Sequence, residues 1–302
     1  MPTFLPTKCN VPMSASSETF QDWLGRSEEA LDTITASPLG RYNATLNRND
    51  PAPQQNDPLR PGAHWLYFVP TTRQSELGDN GNPQVGNFLP PIDLPRRMWA
   101  GGKLTFHQPL RVGERAKKIS TIASITPKEG RSGRLTFVTV QYDHLGETGL
   151  AISEDHNIVY REAAKPGAPK TPAKTSGNAP QAPGNAVWRQ EILPDPRLLF
   201  RFSALMFGAA RIHYDHTYVT ETEGYPGLIV NARMVLIMML ELCGREWPEK
   251  TMTSFTYRCL STLFCDVPFS IEGEPSADGH SVKLWALNDQ GVLSVDATAT
   301  FE

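Results

Sequence analysis

The sequence predicts an α+β protein built as two similar halves, and three observations lead to that prediction. The chain has 302 residues, enough for one large domain or two of ordinary size. Each half ends in several strand-like segments separated by glycine-containing turns. A segment rich in proline, alanine, lysine and glycine, without large apolar residues, lies between them. We therefore predict an N-terminal half over 1–164, a linker over 165–186 and a C-terminal half over 187–302.

The N-terminal half is predicted to begin with a helix and to end in strands. Residues 16–35 contain an imperfect apolar stripe, and Ser17 can cap a helix there. Residues 37–63 and 71–97 are predicted as loops because prolines and polar residues occur without a period, with a short strand over 64–70 between them. The later strand segments are 102–110, 114–127, 133–146 and 150–163.

The C-terminal half repeats this order with a stronger helix. A strand over 186–193 and a short helix over 196–207 come first. A helix over 231–244 follows, apolar on nearly every side and predicted to stop at Gly244. The final segment alternates between apolar and polar residues, as a half-buried strand does. The strand segments after the helix are 254–263, 268–276, 281–289 and 292–301.

A long apolar helix wrapped by one antiparallel sheet is the hot-dog fold. The two halves therefore predict a double hot dog, in which two antiparallel sheets each wrap a central helix and the N-terminal helix is degenerate. At ~1.5 Å per residue the helix over 231–244 is about 21 Å long. That length crosses a sheet of five or six strands.

Composition excludes several function classes. The net charge is −3, and no basic stripe or polybasic run indicates a nucleic acid or a membrane surface. No apolar run reaches the roughly 20 residues that a membrane span needs. The four cysteines form no C-x-x-C pair, which favours reduced thiols in a cytoplasmic protein. A mitochondrial location is an alternative with weak support, since Lys8 is the one basic residue in the first 17.

Several strings of the sequence resemble one family. They include "HWLYF", "LPRRMWAGGKLTFHQPLRVGE" and "EGRSGRLTFVTV" in the first half, and "LFRFSAL", "RIHYD" and "EGYPGLIV" in the second. The chain resembles the hydroxyacyl-thioester dehydratases and mesaconyl-CoA-type hydratases of the MaoC-like group, over roughly 18–164 and 187–302. The resemblance implies a double hot dog with its active site in the C-terminal half and room for the acyl part of the substrate in the first half.

The resemblance also implies that the loop before the long helix carries the chemistry. In the family, an aspartate or asparagine and a histidine in this loop hold the water that is added or lost. A His-Gly pair begins the helix, and its backbone N–H groups point at the thioester carbonyl. His213 matches the family histidine, and a histidine with a pKa near ~6.5 can give or accept a proton at neutral pH.

Three polar positions of the family pattern are changed. Gly208 stands at the aspartate or asparagine position, Ala210 at the second polar position, and Asn231-Ala232 in place of the His-Gly pair. We expect a dehydratase or hydratase-like lyase acting on a β-hydroxyacyl thioester or related carbonyl compound in specialised metabolism, with His213 as general acid/base. An isomerase or cyclase remains open, because proton transfer in a shaped pocket needs fewer groups. A ligand-binding protein without catalysis is the third alternative.

The candidate site has two groups of residues, and several have a structural alternative. Asp215 can pair with Arg211, Asn231 can cap the helix, and Met234 can pack in the core. The candidate catalytic residues are His213, Tyr214, Asp215 and Asn231. The candidate substrate-binding residues are Gly208, Arg211, Ala232, Arg233, Tyr225 and Met234.

The sequence predicts neither a metal nor a redox cofactor. The histidines are scattered along the chain, and no G-x-G-x-x-G before a helix, P-loop or H-E-x-x-H occurs. The expected partner is a small-molecule substrate that carries coenzyme A or an acyl-carrier phosphopantetheine. A homodimer formed through the hot-dog sheets is a further expectation.

Overall fold

The computed structural model describes residues 20–130, 133–162, 182 and 184–302. Three α-helices and one antiparallel sheet make up this part of the chain, which confirms the predicted α+β class. The helices are α1 (Ala36–Thr45), α2 (Pro196–Leu205) and α3 (Ala232–Glu246). The strands are β1 (Ser27–Thr33), β2 (Arg96–Phe106), β3 (Arg115–Gly130), β4 (Gly133–Gly146), β5 (Gly149–Arg161), β6 (Trp188–Ile192), β7 (Met252–Cys259), β8 (Phe269–Pro275), β9 (Ser281–Asn288) and β10 (Leu293–Phe301).

The two predicted sheets are joined edge to edge into one. The strand order is β1-β3-β4-β5-β2-β7-β10-β9-β8-β6, so five strands of the N-terminal half meet five of the C-terminal half. The junction is the antiparallel pair β2–β7, which runs from Gly101 opposite Arg258 to Thr105 opposite Ser254. The order within the second half mirrors the order within the first, as expected of two related halves.

Adjacent glycines permit the close approach of strands at this junction. A Cβ at Gly102 would overlap the backbone oxygen of Asp155 on β5 and the hydroxyl of Tyr257 on β7. At Gly101 φ is 157°, and the pairing of β2 with β5 shifts by one residue beside it. Glycine is required there because any side chain would push the two halves apart.

Helix α3 forms the centre of the C-terminal half. Its residues from Met234 to Leu240 are all buried, and it packs against β6 and β9. A helix that is apolar on nearly every side is expected to be enclosed in this way. The helix continues past Gly244 to Glu246, so the predicted stop at Gly244 is wrong.

Among residues 20–130 and 133–162, the N-terminal half has no such helix. Between β1 and β2 it contains α1, which packs against α2, and a 3₁₀ turn over Ala63–Leu66. The turn lies against α3, because a Cβ at Gly62 would be 2.8 Å from Leu240 Cδ1. With a short turn in place of a long helix, the inward faces of β4 and β5 are left to line a cavity.

Some predicted elements of the first half are wrong. The helix predicted over 16–35 is wrong for its described part, residues 20–35: a 3₁₀ turn over Phe20–Trp23 is followed by β1, which pairs with β3 along its whole length. Leu31, placed on the predicted apolar stripe, is 72% exposed. Ser17, the predicted cap, lies outside the described residues.

The loop predicted over 37–63 contains most of α1, whose first turn tolerates Pro38. The strand predicted over 64–70 is instead the 3₁₀ turn and the irregular segment after it. The strands predicted in the second half are confirmed, as are β3, β4 and β5.

The predicted linker over 165–186 lies almost wholly outside the described residues, so the domain boundaries stay predictions. Cys9 also lies outside them, whereas Cys243, Cys259 and Cys265 are free thiols. No helix in the described part of the chain is long and apolar enough to cross a membrane.

Candidate active site

A cavity of about 2610 Å³ lies between the loop before α3 and the inward face of the N-terminal half. His213, Gly208 and Ala210 line it from the loop. Asn231, Ala232 and Arg233 line it from the start of α3. This volume is larger than most small-molecule sites, which fits a substrate attached to a long carrier arm.

His213 ends a 3₁₀ turn, and one ring nitrogen is held by the backbone. Its Nδ1 lies 2.8 Å from the carbonyl oxygen of Ile229. A carbonyl can only accept, so Nδ1 carries the hydrogen and Nε2 carries the lone pair. Burial lowers the pKa of His213, although the hydrogen bond to Ile229 opposes that shift. The ring is therefore neutral near pH 7, and Nε2 can accept a proton.

The N-terminus of α3 supplies hydrogen-bond donors beside this histidine. Asn231 caps the helix, its Oδ1 accepting from the Arg233 N–H at 2.9 Å. Ala232 is the first helical residue, so its N–H has no acceptor within the helix. A free N–H at a helix N-terminus can stabilise an oxyanion.

Gly208 leaves space beside these groups. Its N–H donates to Ser203 O at 2.8 Å and so closes the C-terminal end of α2. A Cβ built at Gly208 would have a single neighbour within 4 Å, Ser203 O at 3.6 Å. The missing side chain of the family pattern is therefore not replaced by a bulky neighbour.

Four of the predicted site residues occupy structural positions and do not line the cavity. Arg211 pairs with Asp215 at 2.8 Å, and Asp215 Oδ1 also accepts from the Tyr218 N–H at 3.0 Å. Tyr214 is exposed and donates to Ala209 O at 3.0 Å. Met234 is fully buried in the core. The geometry thus gives no support to their predicted site roles.

Tyr225 does line the cavity, and its hydroxyl accepts from Arg96 Nη2 at 2.8 Å. With His213, Gly208, Asn231, Ala232 and Arg233, it completes the six predicted site residues that the fold brings to the cavity.

The opposite side of the cavity is polar, and the sequence prediction missed it. Glu154 on β5 is 2% exposed, and its Oε2 accepts from Trp65 Nε1 at 2.9 Å. Glu154 also lies 3.7 Å from His64 Nε2 and 3.6 Å from His156 Nδ1. We call this surface the polar wall and define it by His64, Lys118, Tyr142, His144, Glu154 and His156, all of which line the cavity.

Burial sets the charge of this wall. It lowers the pKa values of His64, His144 and His156, so these rings are neutral near pH 7. Burial opposes the ionisation of Glu154, but the contacts with His156 and His64 hold the pKa of its carboxyl below the usual range. Among the groups of the wall, the Glu154 carboxylate is therefore surrounded by neutral imidazole rings, and Lys118 is the one cationic side chain in the set.

Arg233 reaches from α3 toward the polar wall. Its guanidinium carbon lies 5.3 Å from the ring centre of Trp65 and 5.1 Å from that of Trp99. Its Nε is buried without a hydrogen-bond partner, and Arg233 makes no ion pair within the described residues. Arg233 thus joins the two sides of the cavity.

The fold gathers three groups with metal-binding atoms. Ligand atoms of His64, His144 and Glu154 lie within 4.8 Å of one another, although the sequence shows the histidines scattered. Burial is the main cause of the lowered pKa values of both histidines; the charge of Glu154 raises these values, whereas the positive charges of Arg233 and Lys118, which would also repel a divalent cation, lower them. We assign no metal to this cluster.

A signal for the polar wall exists in the sequence. On β5, Glu154 and His156 follow Ile152 and precede Ile158 at intervals of two, so they share an inward face with apolar residues. Polar residues on a core-facing side indicate either a buried network or a site. The alternation along β5 could not show that His64 and Arg233 would lie near Glu154 and His156.

Comparison with known proteins decides the family. Residues 62–265 match the family model described as hydroxyacyl-thioester dehydratase type 2. The chain belongs to this family. It is 42% identical over 283 residues to the mesaconyl-C(4)-CoA hydratase of Chloroflexus aurantiacus, covering 94% of this chain and 98% of that protein. It is 29% identical to the mitochondrial hydroxyacyl-thioester dehydratase type 2 of Schizosaccharomyces pombe, covering 80% of this chain and 87% of that protein.

The fold comparison agrees. A Mycobacterium tuberculosis protein described as a double hotdog fold superposes with a TM-score of 0.54 at 14% identity, covering 92% of this chain and 96% of that chain. The predicted double hot dog and the predicted hydro-lyase family are thus both confirmed. The isomerase, cyclase and non-catalytic alternatives gain no support, because the named relatives are hydratases and dehydratases.

Proposed function

We propose that this member of the family adds water to a 2-enoyl thioester, or removes it from the corresponding β-hydroxyacyl thioester. The observation that carries the proposal is His213, whose Nδ1–H is fixed on Ile229 O while its Nε2 has no hydrogen-bond partner among the described residues, in a cavity that the start of α3 also lines. The substrate is bound to coenzyme A or to an acyl-carrier phosphopantetheine, and the large cavity supports such an arm.

The chemistry follows from these groups. In hydration, Nε2 of His213 takes a proton from water as the water oxygen bonds to the β-carbon. The charge that develops on the thioester oxygen is stabilised by the N–H of Ala232. The imidazolium then returns the proton to the α-carbon, so one water supplies both hydrogen and hydroxyl. Asn231 lines the cavity and precedes Ala232 in the chain. Its side-chain amide is the one nearest to His213 in sequence, and it could hold the water.

The proposal extends to the substrate class, the compartment and the oligomeric state. Gly208, Ala210 and the Asn231-Ala232 pair depart from the family pattern, which favours a specialised substrate. A mitochondrial relative supports that compartment as an alternative to the cytoplasm. A homodimer would form through the edge strands β1 and β6, each of which has one neighbouring strand within the described residues.

Hydration of crotonyl-CoA by purified protein tests the proposal. Replacing His213 with Gln should lower kcat by about 10²- to 10⁴-fold, the usual contribution of a general acid–base group. His216→Gln is a matched control, because His216 is an exposed histidine three residues away that does not line the cavity.

The reaction in H₂¹⁸O identifies its class. Hydration places one ¹⁸O in the β-hydroxy product, which mass spectrometry detects. Turnover without added oxygen would indicate isomerisation and contradict the proposal, as would full activity of His213→Gln.

A further inference from the structure

We propose that Glu154 of the N-terminal half is a further catalytic residue, whose unpaired carboxylate oxygen holds the reacting water for His213. The inference rests on the proposed function, since it takes the addition of water to an enoyl thioester as its starting point. Gly208 has no side chain at the position where the family pattern has an aspartate or asparagine. An acceptor for the water is therefore needed from elsewhere in the cavity.

The first support is the unpaired oxygen of Glu154. Glu154 is 2% exposed and lines the cavity, and its Oε2 accepts from Trp65 Nε1 at 2.9 Å. Its Oε1 is buried and has no hydrogen-bond partner within the described residues. A buried carboxylate oxygen normally accepts a hydrogen bond, and leaving it unpaired is costly. A water that donates to Oε1 removes this cost.

A second buried glutamate shows how a structural carboxylate is held in this protein. Glu272 on β8 is 5% exposed, and its Oε2 accepts from Trp285 Nε1 at 2.9 Å, which repeats the contact of Glu154 with its own tryptophan. The other oxygen of Glu272 is also engaged, because it accepts from Ser270 Oγ at 3.1 Å and pairs with Arg189. Glu154 differs in that one of its oxygens is left for a ligand.

Glu154 is also the one buried carboxylate that the described residues place on the cavity. The other carboxylates that line the cavity are half-buried or exposed, and they are Glu28, Glu29, Glu76, Glu162 and Glu223. In the same part of the chain, no arginine or lysine lies within ion-pair distance of Glu154, and its two close histidines are neutral near pH 7. Its charge is thus not taken up by a fixed cation.

The carboxyl of Glu154 is ionised, as an acceptor has to be. Burial opposes ionisation, but the contacts with His156 and His64 hold the pKa of this carboxyl below the usual range. An ionised carboxylate accepts hydrogen bonds and donates none, and its hydrogen bonds are the stronger charge-assisted kind.

A chain of contacts links Glu154 to the loop that carries His213. His213 Nδ1 is fixed on Ile229 O, and α3 begins three residues after Ile229. From the first turn of α3, the guanidinium carbon of Arg233 lies 5.3 Å from the ring centre of Trp65, which donates to Glu154. His213, the start of α3 and Glu154 all line one cavity, so a small molecule between them meets both sides.

The addition of water needs an acceptor for each of its two hydrogens. Nε2 of His213 takes one proton as the water oxygen bonds to the β-carbon, and Oε1 of Glu154 accepts a hydrogen bond from the second O–H. That second O–H becomes the hydroxyl of the product, while the proton on His213 passes to the α-carbon. Glu154 stays ionised throughout. The Oδ1 of Asn231 is engaged by the Arg233 N–H, so its amide contributes a donor to the water oxygen.

Steady-state hydration of crotonyl-CoA by Glu154→Gln tests the inference. Gln has nearly the same shape and can still accept from Trp65, but it carries no charge. We expect kcat to fall about 10²-fold or more, with KM little changed, because the lost contact is with the reacting water. The variant should fold, since it removes a buried charge without a cationic partner. Melting temperatures check the fold.

Glu272→Gln is the matched control. It neutralises a buried glutamate that also accepts from a tryptophan, at a position that does not line the cavity. It weakens the pair with Arg189, so the melting temperature should fall while kcat stays close to that of the wild type. A loss of kcat in both variants that follows the loss of stability would assign Glu154 a structural role and overturn the inference.

Chemical rescue separates a reacting carboxylate from a structural one. In Glu154→Ala, the shortened side chain leaves room for a small carboxylate, and sodium formate should raise kcat about tenfold or more. Sodium chloride at equal concentration should not. Equal effects of the two salts would contradict the role of the carboxylate.

Gly208→Asn offers an acceptor from the other side of the cavity. It should therefore raise kcat by a larger factor in Glu154→Gln than in the wild type. Equal factors in the two backgrounds would show that the two positions do not share one water, and would overturn the inference.

The outcomes separate this inference from the proposed function. Wild-type kcat in folded Glu154→Gln, with the activity of His213→Gln lost, overturns the inference alone. Glu154→Asp decides if Glu154→Gln does not fold, because it keeps the charge and sets it back by one carbon; unchanged kcat would then count against Glu154. Wild-type protein that adds no ¹⁸O to crotonyl-CoA overturns both proposals.

Discussion

At the scale of single residues, the departure from the family pattern is a loss of side chains and not a rearrangement. Gly208 has room for a Cβ, and His213 keeps its backbone anchor on Ile229. The site therefore lacks a polar side chain at Gly208, while the neighbouring histidine stays in position. A single substitution should be able to restore that group.

Gly208→Asn is predicted to raise the rate of crotonyl-CoA hydration by about tenfold or more, since a partner for an acid–base group contributes on this order. The reason is that an amide at this position can hold the attacking water for His213. Steady-state kinetics check the rate, and melting temperatures check the fold. Gly208→Ala is the control, and it should fold without the gain.

An equal gain in Gly208→Ala would assign the effect to backbone stiffening and contradict this account. A gain from Gly208→Asn that persists in the double variant with His213→Gln would also contradict it.

The resemblance located His213, Gly208 and Ala232 because these residues are close in sequence to strings that the family shares. It missed Glu154, His64 and Lys118, since their meeting depends on how β3, β5 and the 3₁₀ turn pack. Arg211 and Asp215 match the family motif, yet they pair with each other outside the cavity. Agreement with the family motif thus identified the loop. It did not identify which side chains of the loop line the cavity.

At the scale of elements, the start of α3 joins stability to chemistry. Asn231 accepts the Arg233 N–H and so fixes the first turn, from which Ala232 lines the cavity. Loss of the Asn231 cap would loosen the first turn of α3, which positions both Ala232 and Arg233.

Asn231→Ala is predicted to lower the free energy of unfolding by about 1 kcal/mol, the usual effect of losing a helix cap. It should also lower kcat for hydration, because the N–H of Ala232 becomes less well oriented. Asn231→Asp keeps an acceptor and should retain most of the stability. Urea denaturation measures the first effect, and unchanged stability in Asn231→Ala would argue against the cap.

The helices and strands of the second half were predictable because their hydrophobic patterns match the burial that each element has in the fold. Helix α3 is apolar on nearly every side and is buried from Met234 to Leu240, and β10 alternates as a half-buried strand should. Strand β1 was misread because its residues show a helix-like stripe, while its conformation is fixed by pairing with β3 nearly ninety residues later. Such long-range pairing overrides local preference and leaves no local signal.

At the scale of the whole molecule, buried histidines couple folding to pH. Burial lowers the pKa values of His64, His144, His156 and His213 in the folded state. In the unfolded chain these groups protonate near ~6.5. The unfolded state thus binds more protons, so the stability present above pH ~6.5 is lost as the pH falls.

The melting temperature is therefore predicted to fall as the pH is lowered from about 7.5 to about 5.5. His144→Phe should make this fall shallower, because Phe cannot be protonated in either state and its ring can still pack against His64 and Phe68. Each pH unit below the unfolded pKa is worth up to about 1.4 kcal/mol per histidine. Scanning calorimetry provides the measurement.

His216→Gln, at an exposed position, should reproduce the wild-type pH dependence. A steeper fall in His144→Phe than in the wild type would show that His144 is protonated in the folded protein.

The continuous sheet across the β2–β7 junction has a consequence for how such a protein can change. In a dimer of identical chains, every substitution occurs twice, once on each side of the two-fold axis. Here the two halves share one chain, so a mutation alters one side only. Glu154 and the neighbouring histidines could therefore arise in the N-terminal half, on the wall where the acyl group is proposed to lie. The same substitutions would not place a second set of ionisable groups around α3. Because both halves belong to one chain, substitutions in the N-terminal half can alter the cavity wall while the loop that carries His213 stays unchanged.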